Sequence, residues 1–300
     1  MINISNKIST LRLAKAVGSV IASGETLDRV KKNQTPKKDV LVVARTAGLM
    51  AVKKTGELIP YCHPIPIEAA ELNLKVLEEK IHIEALVSTI GKTGVEMEAL
   101  TACSVAALNL YDLLKPIDKS LVIGESQLVN KVGGKTSFHF CVPEEFKAHL
   151  LVTSQGVALG TREDRAGRLL TDKFKEIGVL VDYEVIAPHR EAVCQRLKQL
   201  ADSGIDMVVT VGGTGLNDYD ETVEATRDIC SKEIPGISHR LQEFGQSRTP
   251  VAMLSRGIAG IIDRTLVINL PGSRRGAEEG FDALFPYLFH SIPMLRQKKS

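Results

Sequence analysis

No apolar run in the sequence approaches the roughly 18 residues that a membrane-spanning helix requires. The N-terminus is polar, so the expectation is a chain that nothing targets or anchors, working in the cytoplasm. Charge of one sign is equally absent. Against 38 Lys and Arg stand 36 Asp and Glu, which excludes a global positive field drawing the chain to nucleic acid or to an anionic membrane. Any phosphate binding must then be local. Paired cysteines are missing too: Cys62, Cys103, Cys141, Cys194 and Cys230 are odd in number and widely spaced. They lack the spacing of zinc sites or of a disulfide framework and fit a reducing compartment. No internal repeat links the two halves, and no Gly or Ser tract separates them. What is there is 300 residues, 44% hydrophobic, with 24 Gly and 12 Pro, which is chain enough for two cores and predicts two domains.

The first domain is organised around GKTGVEMEALTACSVAALNLYDLLK at 91–115, a loop with two glycines running into a long helical pattern. Met97, Leu100, Cys103, Ala107, Leu110 and Leu114 recur at steps of three and four, which predicts the core face of one helix. A second stripe of the same step runs Glu98, Thr101, Val105, Leu108, Asp112, Lys115. Asp112 and Lys115, three apart, are neighbours on a helix surface. Spacing alone leaves them either a solvated ion pair or an acid and a base presented together.

Upstream, Asp39 is placed to cap a helix with the apolar face Val40, Val43, Ala47 and Met50; Lys53 and Lys54 complement its end, and Gly56 stops it. Lys37 stands just before that cap, an ordinary exposed lysine or one that reaches a ligand at the helix start. Prolines hold IPYCHPIP at 59–66 extended around Cys62 and His63. A His beside a Cys suggests a metal or a thiolate couple, yet neighbours on extended chain point to opposite sides, which favours a hydrogen-bonding His. Residues 72–76 and 81–87 alternate apolar with polar and read as a hairpin with one wet face, so the domain is expected to be α+β. Gly-Lys-Thr at 91–93 and again at 134–136 fails the phosphate-loop pattern, because the glycine required five positions earlier is Leu86 in one case and Val129 in the other. Lys131 and Lys135 around Gly133 and Gly134 still make a compact cationic turn suited to phosphates.

These pieces together closely resemble the cyclic pyranopterin monophosphate synthases of molybdenum-cofactor biosynthesis: the 91–115 stretch, Lys37 before Asp39-Val40, Cys62-His63-Pro64, and KVGGK at 131–135. The likeness covers residues 1 to about 142. It implies a ferredoxin-like antiparallel sheet with helices, and a cyclised dihydroguanosine triphosphate rearranged to a cyclic phosphate with loss of pyrophosphate. It further implies that Asp112 is the general acid and Lys115 its catalytic partner. Lys37 and Lys131 would contact phosphates, and Tyr61, Cys62, His63, Met97 and Glu98 would contact substrate. Asn3 stands where that family usually has an acid and Lys38 where it usually has glycine. Fourteen residues separate Glu98 from Asp112, about 21 Å at helical rise, which is too far for one nucleotide to touch both within a chain. The simplest geometry is an antiparallel pairing of the helix with its copy, eased by Ala99, Ala102, Ala106 and Ala107. The resemblance likewise implies self-association, a hexamer for this domain and a trimer for the next.

The join at 142–146 places the domains at 1–146 and 147–300. From there strand and helix alternate, with strands at 150–153, 181–186 and 207–211 and helices at 165–177 and 191–203, which predicts a doubly wound α/β domain. Gly212-Gly213-Thr214-Gly215 follows the most buried-looking strand, either a tight turn or a backbone approach to phosphate. Asp220, just before a helix start at Thr222, is either its cap or a magnesium ligand. GGTGLNDYDETVEAT at 212–226, Glu163 to Gly167, Leu254-Ser255-Arg256 and Leu270-Pro271-Gly272-Ser273 resemble the molybdopterin-binding, adenylyltransferase family. The resemblance implies a pterin and nucleotide site at Gly212 to Gly215, Asp220, Ser255, Pro271, Gly272 and Ser273. It implies no tightly bound cofactor, with Mg2+ and ATP as the ligands open to this domain and small pterin or nucleotide molecules as substrates. The second acid of active members is His189 here. A neutral imidazole does not replace a carboxylate toward magnesium, so a noncatalytic pterin-binding or scaffolding module is the alternative.

Overall fold

The computed structural model describes residues 1–134, 137 and 140–297. Lys135 and Thr136, part of the cationic turn read from the sequence, lie outside the described residues. The chain divides into two compact units, Met1–His139 and Phe140–Ser300.

In the first unit the order is β1 (Thr10–Ile21), α1 (Gly24–Lys31), α2 (Val40–Leu58), β2 (Ala69–Val76), β3 (Lys80–Gly91), α3 (Glu96–Leu114), β4 (Val122–Ile123) and β5 (Gln127–Val132). The expected hairpin is β2 and β3, paired antiparallel from Ala69↔Ser88 to Val76↔Ile81. The long central strand β1 is missing from the sequence reading. It pairs antiparallel with β3 on one side and with both β4 and β5 on the other, giving the order β2-β3-β1 with β4 and β5 sharing the last edge. Ala14, Ala16, Gly18 and Val20 line its inward register. They are so small that periodicity shows no apolar strand there, yet they let α3 lie close: a Cβ on Gly18 would sit 3.3 Å from that of Cys103.

Helices α2 and α3 cover that inward face. On α3 the buried residues are Glu98, Ala99, Ala102, Cys103, Ala106, Ala107, Leu110 and Leu114. The predicted apolar face holds at its C-terminal end, where burying each Leu contributes about 1.5–3 kcal/mol, but Met97 is 38% exposed. The four alanines are not free for a second copy. They pack inside the protomer, where α2 comes so near that a Cβ on Gly48 would lie 2.9 Å from the Ala102 carbonyl oxygen and 3.3 Å from the Ala106 Cβ. That contact also rotates α2 from its predicted orientation. Its buried residues are Val40, Ala44, Gly48, Ala51, Val52 and Thr55, while Val43 and Met50 face out. Gly56 does not stop α2, which runs to Leu58; it makes room for the 59–66 segment, since a Cβ there would meet Pro64 at 3.2 Å. Lys53 and Lys54 fall short of the last turn, and Asp39 makes no side-chain cap bond.

The second unit continues with β6 (Ala148–Thr153), α4 (Gln155–Ala158), α5 (Arg165–Glu176), β7 (Val181–Ile186), α6 (Arg190–Asp202), β8 (Met207–Val211), α7 (Thr222–Ile229), β9 (Lys232–Glu233), α8 (Pro235–Gln246), β10 (Ala259–Ile262), β11 (Thr265–Leu270), α9 (Arg274–Leu284) and α10 (Ser291–Arg296). Its sheet runs β7-β6-β8-β11-β10-β9, parallel from β7 to β11 with two antiparallel strands at the edge. Helices cover both faces. Leu150 and Val152 pack with α5, α8 and α9, whereas Leu151 and Val208 pack with α6 and α7. The doubly wound α/β reading describes this unit. Phe140, Val142 and Phe146, in and before the join expected at 142–146, pack against its core.

Candidate functional site

Lys37 is presented by a short loop ahead of α2. Asn33 and Asp39, both at positive φ, clasp its ends: Asn33 Nδ2 donates to Asp39 Oδ1 and Asp39 N–H donates to Asn33 Oδ1, each at 2.9 Å. Asp39 therefore serves the loop instead of capping the helix. Inside the clasp the buried Thr35 hydroxyl donates to the Lys37 carbonyl at 2.6 Å. The Lys37 ammonium then reaches Asp112 Oδ2 at 3.2 Å, and Lys115 reaches Oδ1 of the same carboxylate at 2.7 Å. Lys37, 75 residues away in sequence, thus joins the pair that spacing had suggested. Lys115, and then Lys37, hold the Asp112 carboxyl below its ordinary range, and Asp112 in turn raises the Lys115 ammonium. All three side chains are at least half exposed, which keeps them open to a ligand.

The other predicted residues of this unit gather at the opposite end of α3. Glu98 is only 4% exposed, and burial, seconded by the charge of Glu96, raises its carboxyl above the usual range. Cys62 is raised chiefly by burial and then by the charge of Glu98, so the Cys62 turn and the start of α3 share one environment. His63 follows it half-buried, and Tyr61 stands 81% exposed. Lys131 on β5 meets Glu96 Oε1 at 3.3 Å. The two groups stand about 21 Å apart along the helix, so within a protomer the structure does not bring Glu98 to Asp112. Among the described residues no three His, Cys, Asp or Glu side chains gather as a metal site.

In the second unit Gly212–Gly215 and Asp220 follow the carboxyl end of β8, beside β6 where the strand order reverses, and Pro271–Ser273 follow that of β11; this is the usual ligand position of an open α/β sheet. Gly212 and Gly213 take φ of 107° and 59°. A Cβ on Gly212 would lie 2.4 Å from the Thr153 carbonyl oxygen, and one on Gly213 would lie 2.0 Å from the Thr222 hydroxyl. Only glycine permits this backbone and this approach. Arg256 fixes the loop that follows: its backbone N–H donates to the Thr214 carbonyl, its guanidinium donates to the carbonyls of Gly215 and Asp220, each at 2.7 Å, and it pairs with Glu224. Asp220 is not a helix cap. The N-cap position of α7 is Glu221, and the Asp220 carboxylate accepts instead from Asn217 N–H at 3.3 Å and Nδ2 at 3.1 Å. Glu221 accepts from the backbone N–H of Arg190 at 3.2 Å, which sets a carboxylate at the start of α6, where His189 is the N-cap residue. Ser255, Pro271 and Ser273 line a cavity beside this loop.

Residues 1–134 match the MoaC family and residues 149–290 match the family described as Probable molybdopterin binding domain. A molybdenum cofactor biosynthesis bifunctional protein of Chlorobaculum tepidum is 36% identical over 297 residues, covering 99% of this chain and 94% of its own. The chain belongs to the bifunctional molybdenum cofactor biosynthesis proteins. Its first half is 48% identical over 149 residues to a cyclic pyranopterin monophosphate synthase of Desulfitobacterium hafniense, covering 49% of this chain and 91% of the relative. The solved structure of a molybdopterin biosynthesis enzyme, MoaB, from Thermus thermophilus matches 51% of this chain and 98% of its own, with 36% identity and a TM-score of 0.47.

Two side chains of this bifunctional protein escape the sequence reading. Arg12 lies in the inward register of β1 with its guanidinium along the Gly133–Gly134 turn, and its Nε is buried with no hydrogen-bond partner among the described residues. Glu96 reaches Lys131, and it folds back over Gly94, where a Cβ would collide with its carboxylate at 1.9 Å. An arginine among inward small residues was the available signal, lost because β1 itself was not recognised. Glu98 gives a separate test. Its raised carboxyl means that ionisation opposes folding above the folded pKa, and that the cost disappears as pH falls below the unfolded carboxylate value. Glu98→Gln is expected to raise the melting temperature at pH 7, with the gain vanishing near pH 4. A lower melting temperature at pH 7 would instead make Glu98 a structural hydrogen-bond acceptor.

Proposed function

We propose that the first domain is a cyclic pyranopterin monophosphate synthase, a lyase that converts a cyclised dihydroguanosine triphosphate to the cyclic monophosphate with release of pyrophosphate. The observation that carries its chemistry is Asp112 held between Lys37 and Lys115. The substrate brings several negative charges, and Lys37 and Lys131 are the groups to meet them. At rest Asp112 is ionised between two cations. A triphosphate that takes Lys37 removes one of them, which moves Asp112 toward the general-acid role and leaves Lys115 beside it as the basic partner. Tyr61, Cys62, His63, Met97 and Glu98 form the substrate-contacting group at the other end of α3. Antiparallel sheet pairing in the order β2-β3-β1-β5, with α2 and α3 on one face, supports a ferredoxin-like fold for this domain.

The two groups form one site when a second copy supplies the other. On α3, Thr101, Val105 and Leu108 lie between Glu98 and Asp112 on the side not taken by the core, and Leu108 is 57% exposed. A two-fold axis near Val105 brings Glu98 of one protomer to Asp112 of its copy. We assign the assembly as a homo-oligomer on this basis, with pterin and nucleotide molecules as its small partners. No helix among the described residues is long and apolar enough to cross a membrane.

The second domain binds molybdopterin, with the Gly212–Gly215 turn placed for phosphates and adenylyl transfer from ATP as its reaction. Asp220, once turned from Asn217, would hold Mg2+, which supplies charge neutralisation of the phosphates. His189 weakens that side. His189→Asp is expected to raise ATP-dependent adenylylation of molybdopterin by about ten- to a hundredfold, measured as AMP incorporation. No gain, with the wild-type chain inactive, would favour a module that binds and does not catalyse.

A further inference from the structure

A cavity of about 390 Å3 opens in the second unit between α8, the short 3-10 turn Pro250–Leu254 and α9. It falls within the range of small-molecule sites, about 300–1,000 Å3. Leu241, Val251 and Ala252 give it apolar walls, and Arg275 and Glu279 are its two charged lining residues. They are one helical turn apart on α9, with Arg275 Nε 2.8 Å from Glu279 Oε1. The Arg275 side chain is 67% exposed and that of Glu279 only 16%, so the guanidinium stands at the mouth and the carboxylate lies deeper.

Two polar side chains of the wall, Asn269 and Ser273, are committed to the frame. Asn269 donates through Nδ2 to the hydroxyls of Thr210 and Thr226 and accepts from the Ile258 N–H. Ser273 caps α9 by accepting from the Gly276 N–H. The cavity also adjoins the glycine turn. Pro271 and Ser273 line it, and a Cβ on Gly272 between them would lie 3.0 Å from the Gly212 Cα. A ligand seated in the cavity therefore extends its tail toward Gly212–Gly215.

A carboxylate only accepts hydrogen bonds and a guanidinium only donates them. Side by side they present acceptor, acceptor, donor. A 2-amino-4-oxo pyrimidine ring presents the complementary edge: two donors from the amino group and the ring N–H, then one acceptor oxygen. The adenine edge pairs a donor with a ring-nitrogen acceptor and meets the carboxylate with a lone pair. Resting on the reading that this domain binds molybdopterin, we propose that Glu279, steadied by Arg275, reads the 2-amino-4-oxo edge of the pterin in this cavity. The apolar walls take the faces of the bicycle, and adenine is left to the phosphate side of the site.

Pteridine fluorescence titrations on the full-length chain test this, since the sequence has no Trp to obscure them. The probes are pterin, lumazine, which carries an oxo group in place of the 2-amino group, and adenosine. Wild type is expected to prefer pterin over lumazine by about ten- to a hundredfold, the range of lost hydrogen bonds to a charged group, and to take adenosine least. Glu279→Gln should erase that preference, because its amide donates to the 2-oxo group. Glu279→Asp, which keeps the charge, should retain it. An unchanged pterin-to-lumazine ratio in Glu279→Gln, with wild type retaining molybdopterin on purification, overturns the assignment of Glu279 and leaves the domain reading standing. A wild-type chain that retains no molybdopterin and binds neither pteridine overturns both.

Discussion

Asp112→Ala and Lys115→Ala are each expected to lower turnover of the cyclised nucleotide by about a hundredfold or more, the scale of a lost general acid or base. The fold should not suffer, because both side chains are more than half exposed and neither belongs to the buried face of α3. Lys37→Ala should behave differently. Its partner Asp112 remains paired to Lys115, so the loss falls on phosphate binding and appears first in KM. Pyrophosphate release under saturating and limiting substrate separates the two patterns. The resting electrostatics add a pH signature: with Lys37 removed, one of the two cations that lower the Asp112 carboxyl is gone, so the limb on which the rate falls as the general acid loses its proton should move to higher pH. Near-wild-type turnover of Asp112→Ala or Lys115→Ala would remove that residue from the chemistry.

The sequence carried the chemistry-bearing end of α3 more plainly than the fold around it. Asp112 and Lys115 could be paired from spacing because both lie on one exposed stretch of a regular helix. Lys37 reaches them only through the loop closed by Asn33 and Asp39, and no local pattern predicts that closure. Strand β1 went unseen because its inward register is Ala14, Ala16 and Gly18, residues chosen for closeness to α3 and not for apolar bulk. The same closeness misled the reading of α2: Val43 and Met50 are the larger apolar side chains, yet the core contact goes to Ala44 and Gly48, since only small residues allow the α2–α3 approach. In the second unit the apolar strands were readable as parallel-sheet runs, being buried on both faces. Asp220 was not resolved as cap or ligand because its orientation depends on Asn217 and on Arg256, 36 residues away.

Coexpressed Glu98→Ala and Asp112→Ala chains, each inactive alone, are expected to recover about a quarter of wild-type activity. Rigid helical rise keeps the two residues about 21 Å apart in one protomer, and both lie on α3, so no loop motion brings them together. Ala99, Ala102, Ala106 and Ala107 do not make the contact with a second copy, because they are buried within the protomer, where α2 packs on Ala102 and Ala106. The pairing surface must therefore be the outer stripe, with Val105 midway between Glu98 and Asp112 and Leu108 exposed beside it. In a two-fold pair each site takes Glu98 from one copy and Asp112 from the other. Random pairing makes half the pairs mixed, and a mixed pair holds one site with both residues intact and one with neither. Leu108→Glu is the companion variant: it places a charge in the proposed contact and should dissociate the pair and abolish activity while each protomer stays folded. Mixed oligomers confirmed by mass yet as inactive as their parents would place both residues' roles within one chain, and a fully active Leu108→Glu monomer would rule out the two-fold site.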